Sequence, residues 1–173
     1  MRSVGNKTIH LPQANNKHNQ LSIFPLFKKK QFFSHEEKQR IVHAIEAAER
    51  DTSGEIRVFV ESRNKMVEPL DRAKQVFFKL KMQHTKDRNG VLLYIALKDR
   101  ELALFGDEGI HEKTFEGYWQ NAVRNMLDHF KNENIVDGIV HCITEIGKTL
   151  KEKFPYDEDS DKNELPNDIV FGR

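Results

Sequence analysis

Four carboxylates stand where apolar stretches begin or end: Glu55, Asp87, Asp107 and Glu108. Glu55 opens residues 55–61 (EIRVFVE), Asp87 comes shortly before residues 90–97 (GVLLYIAL), and Asp107 and Glu108 follow residues 101–105 (ELALF) in a turn between Gly106 and Gly109. Thr85, Arg88 and Asn89 are polar neighbours in the same loops. Several oxygen donors in a glycine-flanked loop suit a hard divalent cation such as calcium or magnesium. The competing reading is a solvated loop whose carboxylates pair with Arg57 or Arg88. His84 and His111 are further candidates near this edge, as base or ligand.

The other chemical signals are weaker. Gly147-Lys148-Thr149 has the end of a phosphate-binding loop, but position 142, where its first glycine belongs, is Cys142. The glycine-rich dinucleotide signature is missing too. Asp157, Asp159 and Asp161 alternate as a calcium loop begins, yet Lys162 stands where the loop glycine is required and Asp168 where its closing glutamate is. Cys142, the only cysteine, excludes an intramolecular disulfide and a cysteine zinc cluster. It lies close to an apolar helix stripe and reads as a small core residue.

Elements must bring the four carboxylates together, and the hydrophobic pattern supplies them. Residues 90–97 are apolar without alternation, the mark of a central strand covered on both faces. Residues 55–61 alternate, with Ile56, Val58 and Val60 facing in. Between them Pro69 opens a helix with Ala73, Val76, Phe77 and Leu80 on its inner stripe. Strand, helix, strand makes a βαβ unit, so strands 55–61 and 90–97 are expected to be parallel. Strand 101–105 returns through the turn Lys98-Asp99-Arg100 as the antiparallel half of a hairpin. This topology gathers Glu55, Asp87, Asp107 and Glu108 at one sheet edge, while Asp71 and Asp99 fall at the opposite edge.

Three more helices follow from the pattern. Ser34 with Glu37 forms a capping box for a helix to about Asp51, with Ile41, Ala44, Ile45 and Ala48 inward. A second runs from about Phe115, with Trp119, Val123 and Met126 on one stripe, and the last spans residues 135–153. The expected fold is a single-domain α/β sandwich: a small mixed sheet with a βαβ unit and a hairpin, and helices on both faces. Residues 34–155 form the domain, residues 1–33 a disordered basic leader, and residues 156–173 an acidic, partly ordered tail.

Composition bounds the rest. Of 173 residues, 38% are hydrophobic and 32% charged, enough for a core under a well-solvated surface. Residues 1–33 carry six basic and no acidic residues, leaving the remainder at −5 (+1 less +6). No apolar run approaches the roughly 20 residues of a membrane-spanning helix, and no cleavable signal is legible. A cytoplasmic monomer is expected, with a protein partner of unknown identity and no nucleic acid.

Read in order, residues 52–58, 89–93, Asp99-Arg100, 106–110, Trp119, Phe154-Pro155 and 163–166 resemble the TPM domain family over residues 34–170. The family is named for a thylakoid lumen protein, a photosystem repair protein and a modulator of acetylcholine receptors, and it includes bacterial members. The resemblance implies an α/β sandwich, divalent cation binding at acidic loops, often of calcium, and acid-phosphatase activity in some members. Plant-like members carry an Asp in an extended segment before the first helix, and here the basic leader takes that place. The expected function is cation binding at Glu55, Asp87, Asp107 and Glu108 in a non-catalytic assembly or maintenance module. The alternatives are a metal-assisted phosphomonoesterase, with Arg88 steadying phosphate oxygens, and a metal-free interaction domain.

Overall fold

The computed structural model describes residues 9–10, 32–64, 67–114, 117–131, 135–157 and 164–172. The rest of the basic leader and the run Asp159 to Asp161 lie outside these. A five-stranded mixed sheet, in the order β1-β4-β3-β2-β5, runs through the middle of the molecule. Its strands are β1 (Ile9–His10), β2 (Glu55–Glu61), β3 (Gly90–Ala96), β4 (Glu101–Gly106) and β5 (Ile169–Phe171). β2 and β3 are parallel, in register from Glu55 opposite Gly90 to Glu61 opposite Ala96, and β4 is antiparallel to β3. The helices are α1 (His35–Glu49), α2 (Pro69–Lys79), α3 (Glu108–Lys113), α4 (Tyr118–Lys131) and α5 (Ile135–Lys153).

All seven residues of β3 are buried, as a run without alternation requires. Val91, Leu93 and Ile95 face one core with Ile56, Val58 and Val60 of β2, under α1, α4 and α5. Leu92, Tyr94 and Ala96 face a second core with Phe59, beneath Ala73, Val76 and Phe77 of α2. The expected helices on both faces are therefore present. At the start of α1 both capping-box bonds form: Glu37 N donates to Ser34 Oγ at 3.1 Å and Ser34 N to Glu37 Oε2 at 2.7 Å.

Four features depart from the sequence reading. Within the stretch read as a disordered leader, Ile9–His10 form β1 against β4 and Phe33 is buried in the core. β2 is buried along its whole length rather than on one face, because α2 and the C-terminal residues cover its alternate side chains. The C-terminal residues supply β5, parallel to β2, with Val58 opposite Ile169 and Val60 opposite Phe171. The hairpin continues into α3, which Asp107 caps by accepting from Glu108 N at 2.9 Å. A Cβ at Gly109 would lie 2.1 Å from the Asp87 carbonyl oxygen, so glycine lets α3 sit against the 85–89 loop.

Candidate functional site

The parallel pairing puts Glu55 directly opposite Gly90, so Asn89 lies beside the beginning of β2. Thr52-Ser53-Gly54 turns the chain from α1 into that strand. The Thr52 hydroxyl ties the turn to the Phe154 carbonyl and accepts from Gly54 N at 3.0 Å. Next to it, Asn89 Nδ2 donates to Ser53 Oγ at 3.2 Å, and Ser53 Oγ donates to Asp87 Oδ2 at 3.3 Å. Asn89 is fully buried, and its Oδ1 has no partner among the described residues.

Glu55 is 5% exposed. Its Oε1 accepts from Glu164 N at 2.9 Å, while its Oε2 is buried without a hydrogen-bond partner among the described residues. Burial pushes its carboxyl up to about 7, and the nearby Glu164 carboxylate adds to the rise. Glu49, at the end of α1, accepts from Ile56 N at 2.6 Å and is pushed up to about 8, first by burial and then by the charge of Glu55. Arg57 spends its guanidinium on the Pro166 carbonyl, at 2.9 and 3.1 Å.

Asp107 and Glu108 belong to a second group at the same edge. Asp107 is buried, and Arg88 grips it with two bonds, Nε to Oδ2 at 2.6 Å and Nη2 to Oδ1 at 2.8 Å. Glu108 is exposed, 3.4 Å from Arg88 Nη1. Arg88 itself adopts a left-handed backbone with φ +50, which the bidentate grip and the bond from Gly109 N to its carbonyl hold in place. Of the two arginines weighed as carboxylate partners, Arg88 takes that role for Asp107 and Glu108.

The four acidic residues thus fall into an open pair, Glu55 and Asp87, and a pair engaged by Arg88. Among the described residues, no three His, Cys, Asp or Glu side chains converge as a metal cage. Among the described residues the unpaired buried oxygens at this edge are Glu55 Oε2 and Asn89 Oδ1, and the exposed Asp87 lies beside the Ser53 hydroxyl. Glu49 and Glu164 were not legible as members of this edge. A glutamate closing a helix, where the dipole disfavours negative charge, is the signal that marks Glu49.

The remaining candidates have structural tasks. His111 Nδ1 accepts from Trp119 Nε1 at 3.3 Å. His84 is exposed beside Gln83. Cys142 is buried, and desolvation pushes its thiol up to about 12, away from nucleophilic use. At the opposite edge Asp99 accepts from Arg63 Nη1 at 3.0 Å and from Asn64 N at 2.6 Å, and Asp71 sits in the first turn of α2.

A mixed sheet with one βαβ unit, a following hairpin and an acidic edge at the strand starts defines the class of α/β sandwich to which this chain belongs. More narrowly, it is a member of the TPM domain family: the model of the TPM domain matches residues 26–149. The BA42 protein of the psychrophilic bacterium Bizionia argentinensis, solved by NMR, is 40% identical, with a TM-score of 0.77 over 84% of this chain and 99% of that one. The N-terminal domain of a protein from P. gingivalis shares the fold at 16% identity, with a TM-score of 0.62 over 73% of this chain and 81% of that one. The N-terminal domain of the cg2496 protein of Corynebacterium glutamicum does so at 14% identity, with a TM-score of 0.54 over 86% and 97%. No curated protein matches the chain. Among the described residues, no helix is long and apolar enough to cross a membrane.

Proposed function

We propose that this TPM domain binds a divalent cation, calcium in preference to magnesium, at the edge where β2 and β3 begin, and that it serves as a non-catalytic assembly or maintenance module. One observation carries this reading: two buried acceptor oxygens, Glu55 Oε2 and Asn89 Oδ1, lie at neighbouring strand starts and have no hydrogen-bond donor among the described residues. A buried acceptor left unpaired costs about 1–3 kcal/mol, so two of them at one edge favour a bound donor or cation. A hard cation with flexible oxygen coordination fits a set made of carboxylate, amide and hydroxyl oxygens.

In this assignment Glu55 and Asn89 hold the ion from the strand starts and Asp87 from the loop. Asp107 and Glu108 act indirectly by fixing Arg88, whose left-handed backbone shapes residues 85–89. The bound ion would supply positive charge that keeps Glu55 ionised and draws the two strand starts together. A calcium titration followed by backbone amide shifts tests the reading, with magnesium as control. Shifts concentrated at residues 53–55 and 85–89, lost in Glu55→Gln with the fold intact, are expected. Shifts elsewhere, or none, overturn it. A phosphomonoester assay on the calcium-loaded chain separates this role from phosphatase activity, for which Arg88, engaged by Asp107, is not free to steady a phosphate.

A further inference from the structure

Away from the acidic edge, α2 carries an aromatic side chain on its outer surface. Phe78 is 44% exposed, just outside the buried stripe of Ala73, Val76 and Phe77. Phe77 meets its ring edge-on, with centroids 5.7 Å apart, and the ring of half-buried Phe105 on β4 lies 6.4 Å away. A helix and a strand thus hold this apolar surface between them. The charge around it is one-sided. Lys74 lies one helical turn before Phe78, Lys79 and Lys81 follow it, and all three are exposed. None of them makes an ion pair with a described residue, whereas Lys148, Lys151 and Lys153 of α5 each meet a carboxylate at 2.7 Å. From residue 72 to residue 86 the chain holds no acidic residue at all. β1, within the basic leader, pairs with β4 at Leu102 and Glu101, so a segment with six basic and no acidic residues attaches to the strand that carries Phe105.

We propose that this face docks on an anionic lipid bilayer, with Phe78 entering the headgroup region and Lys74, Lys79 and Lys81 held over the acidic headgroups. The docking does not depend on the cation site. Lysines without carboxylate partners attract any polyanion, and each one near an anionic surface adds to the binding. The exposed ring is what favours a bilayer. An aromatic side chain gains by leaving water for the membrane interface, while long lysine side chains beside it keep their ammonium groups at the wet surface. On α5 the lysines are already neutralised by Glu145, Asp51 and Glu152, so that face has no comparable attraction to offer. Docking of this kind is peripheral and reversible, and it weakens as salt screens the lysines.

The test uses the full chain in a chelator, so that no divalent cation bridges protein to lipid. Co-sedimentation is measured with vesicles of mixed phosphatidylserine and phosphatidylcholine, and with pure phosphatidylcholine as the neutral control. Binding to the mixed vesicles alone is expected, falling as salt is raised. Phe78→Ser is expected to weaken it about tenfold, and Lys74→Gln and Lys81→Gln about fivefold each. Lys148→Gln, whose lysine is paired with Glu145, leaves it unchanged. Amide shifts in bicelles of the same mixed lipids should concentrate at residues 74–81 and at Phe105, a readout that needs no variant. No binding to the mixed vesicles, equal binding to the neutral ones, shifts confined to other parts of the chain, or Phe78 and lysine variants that bind like the unmodified chain overturn the proposal. Two further outcomes also overturn it by naming another occupant. Equally tight binding of soluble polyglutamate, lost in the same variants, would make the occupant an acidic protein segment. Self-association lost in Phe78→Ser, without vesicle binding, would make it a second copy of the chain.

Discussion

Strand β2 carries a buried glutamate at each end, Glu55 and Glu61, and the molecule treats them in opposite ways. An even spacing puts both on the same face. Glu61 is fully buried and richly partnered: Arg72 donates Nε to Oε1 and Nη2 to Oε2, each at 2.9 Å, and Tyr94 OH donates to Oε1 at 2.7 Å. Glu55 has backbone donors alone: Glu164 N bonds Oε1 at 2.9 Å and Leu165 N approaches more weakly, while Oε2 has no well-formed hydrogen bond among the described residues. Desolvating a carboxylate is tolerable when charge and hydrogen bonds replace the lost water. At Glu61 that replacement is built into the chain, so the residue is structural. At Glu55 that replacement is partial, and this contrast is what the proposed cation site rests on.

The largest expected effect comes from removing the partner at the satisfied end. Arg72→Met takes the arginine from the buried Glu61 charge, and should cost about 3–5 kcal/mol in a urea melt. The milder Tyr94→Phe keeps the ion pair and should cost about 1–2 kcal/mol. Glu55→Gln, at the other end, should change stability at pH 5 by less than about 1 kcal/mol, since the Glu55 carboxyl is largely neutral there and glutamine resembles it. A Glu55→Gln chain that unfolds as readily as Arg72→Met would erase the distinction between the two ends.

The next effect is the pH dependence of the cation-free chain. The folded carboxyls of Glu55 and Glu49 stand at about 7 and about 8, against 4.5 when exposed. A raised folded value means the folded chain binds more protons than the unfolded one. Their contribution to stability is complete below about pH 4.5 and is lost as pH rises, to about 7 for Glu55 and to about 8 for Glu49. Stability from urea melts in a chelator should therefore fall between pH 5 and 8.5, by an amount on the order of 1–3 kcal/mol. Glu55→Gln should make the fall between pH 5 and 7 shallower and leave the slope between 7 and 8, which belongs to Glu49. Asp51 and Glu145, both held low by lysine partners, act only below this window. A flat profile across pH 5–8.5 would mean that neither carboxyl is as dehydrated as its burial indicates.

A smaller effect is expected where an acid is already engaged. Asp107→Asn removes the charge that Arg88 grips, and because Arg88 is 39% exposed, solvent screens much of the loss. A cost of about 1–2 kcal/mol is expected. Calcium affinity should fall only a few-fold, through loosening of the 85–89 loop. Complete loss of calcium binding in this variant would make Asp107 a direct ligand and redraw the site.

These contrasts also show what a sequence can disclose. β2 and β3 were readable at their start residues because apolar runs and their flanks are local signals, and once the strand directions were known, the acidic edge followed. Which arginine would meet which carboxylate was not readable. Arg57 and Arg88 are alike in type, yet Arg57 points to the Pro166 carbonyl and Arg88 to Asp107, and only three-dimensional side-chain direction separates them. β5 was hidden for a different reason. Three residues carry too little periodicity, and their strand character comes from pairing with β2. Glu49 and Glu164 were missed because their roles depend on segments distant in sequence coming to the beginning of β2.

The smallest effect concerns the opposite edge, where Asp71 and Asp99 drew notice as a second acidic group. Asp99 already serves Arg63 and the Asn64 amide. Asp71 is exposed in the first turn of α2, where its charge meets the positive end of the helix dipole. That placement accounts for the residue without a ligand. Asp71→Asn should therefore cost about 0.3–1 kcal/mol, an effect that shrinks with added salt as exposed charge interactions do. Calcium-induced shifts at 53–55 and 85–89 should be the same as in the unmodified chain. A drop in calcium stoichiometry in this variant would place a second ion at the far edge, and the comparison between a satisfied end and an open end of β2 would then have to be abandoned.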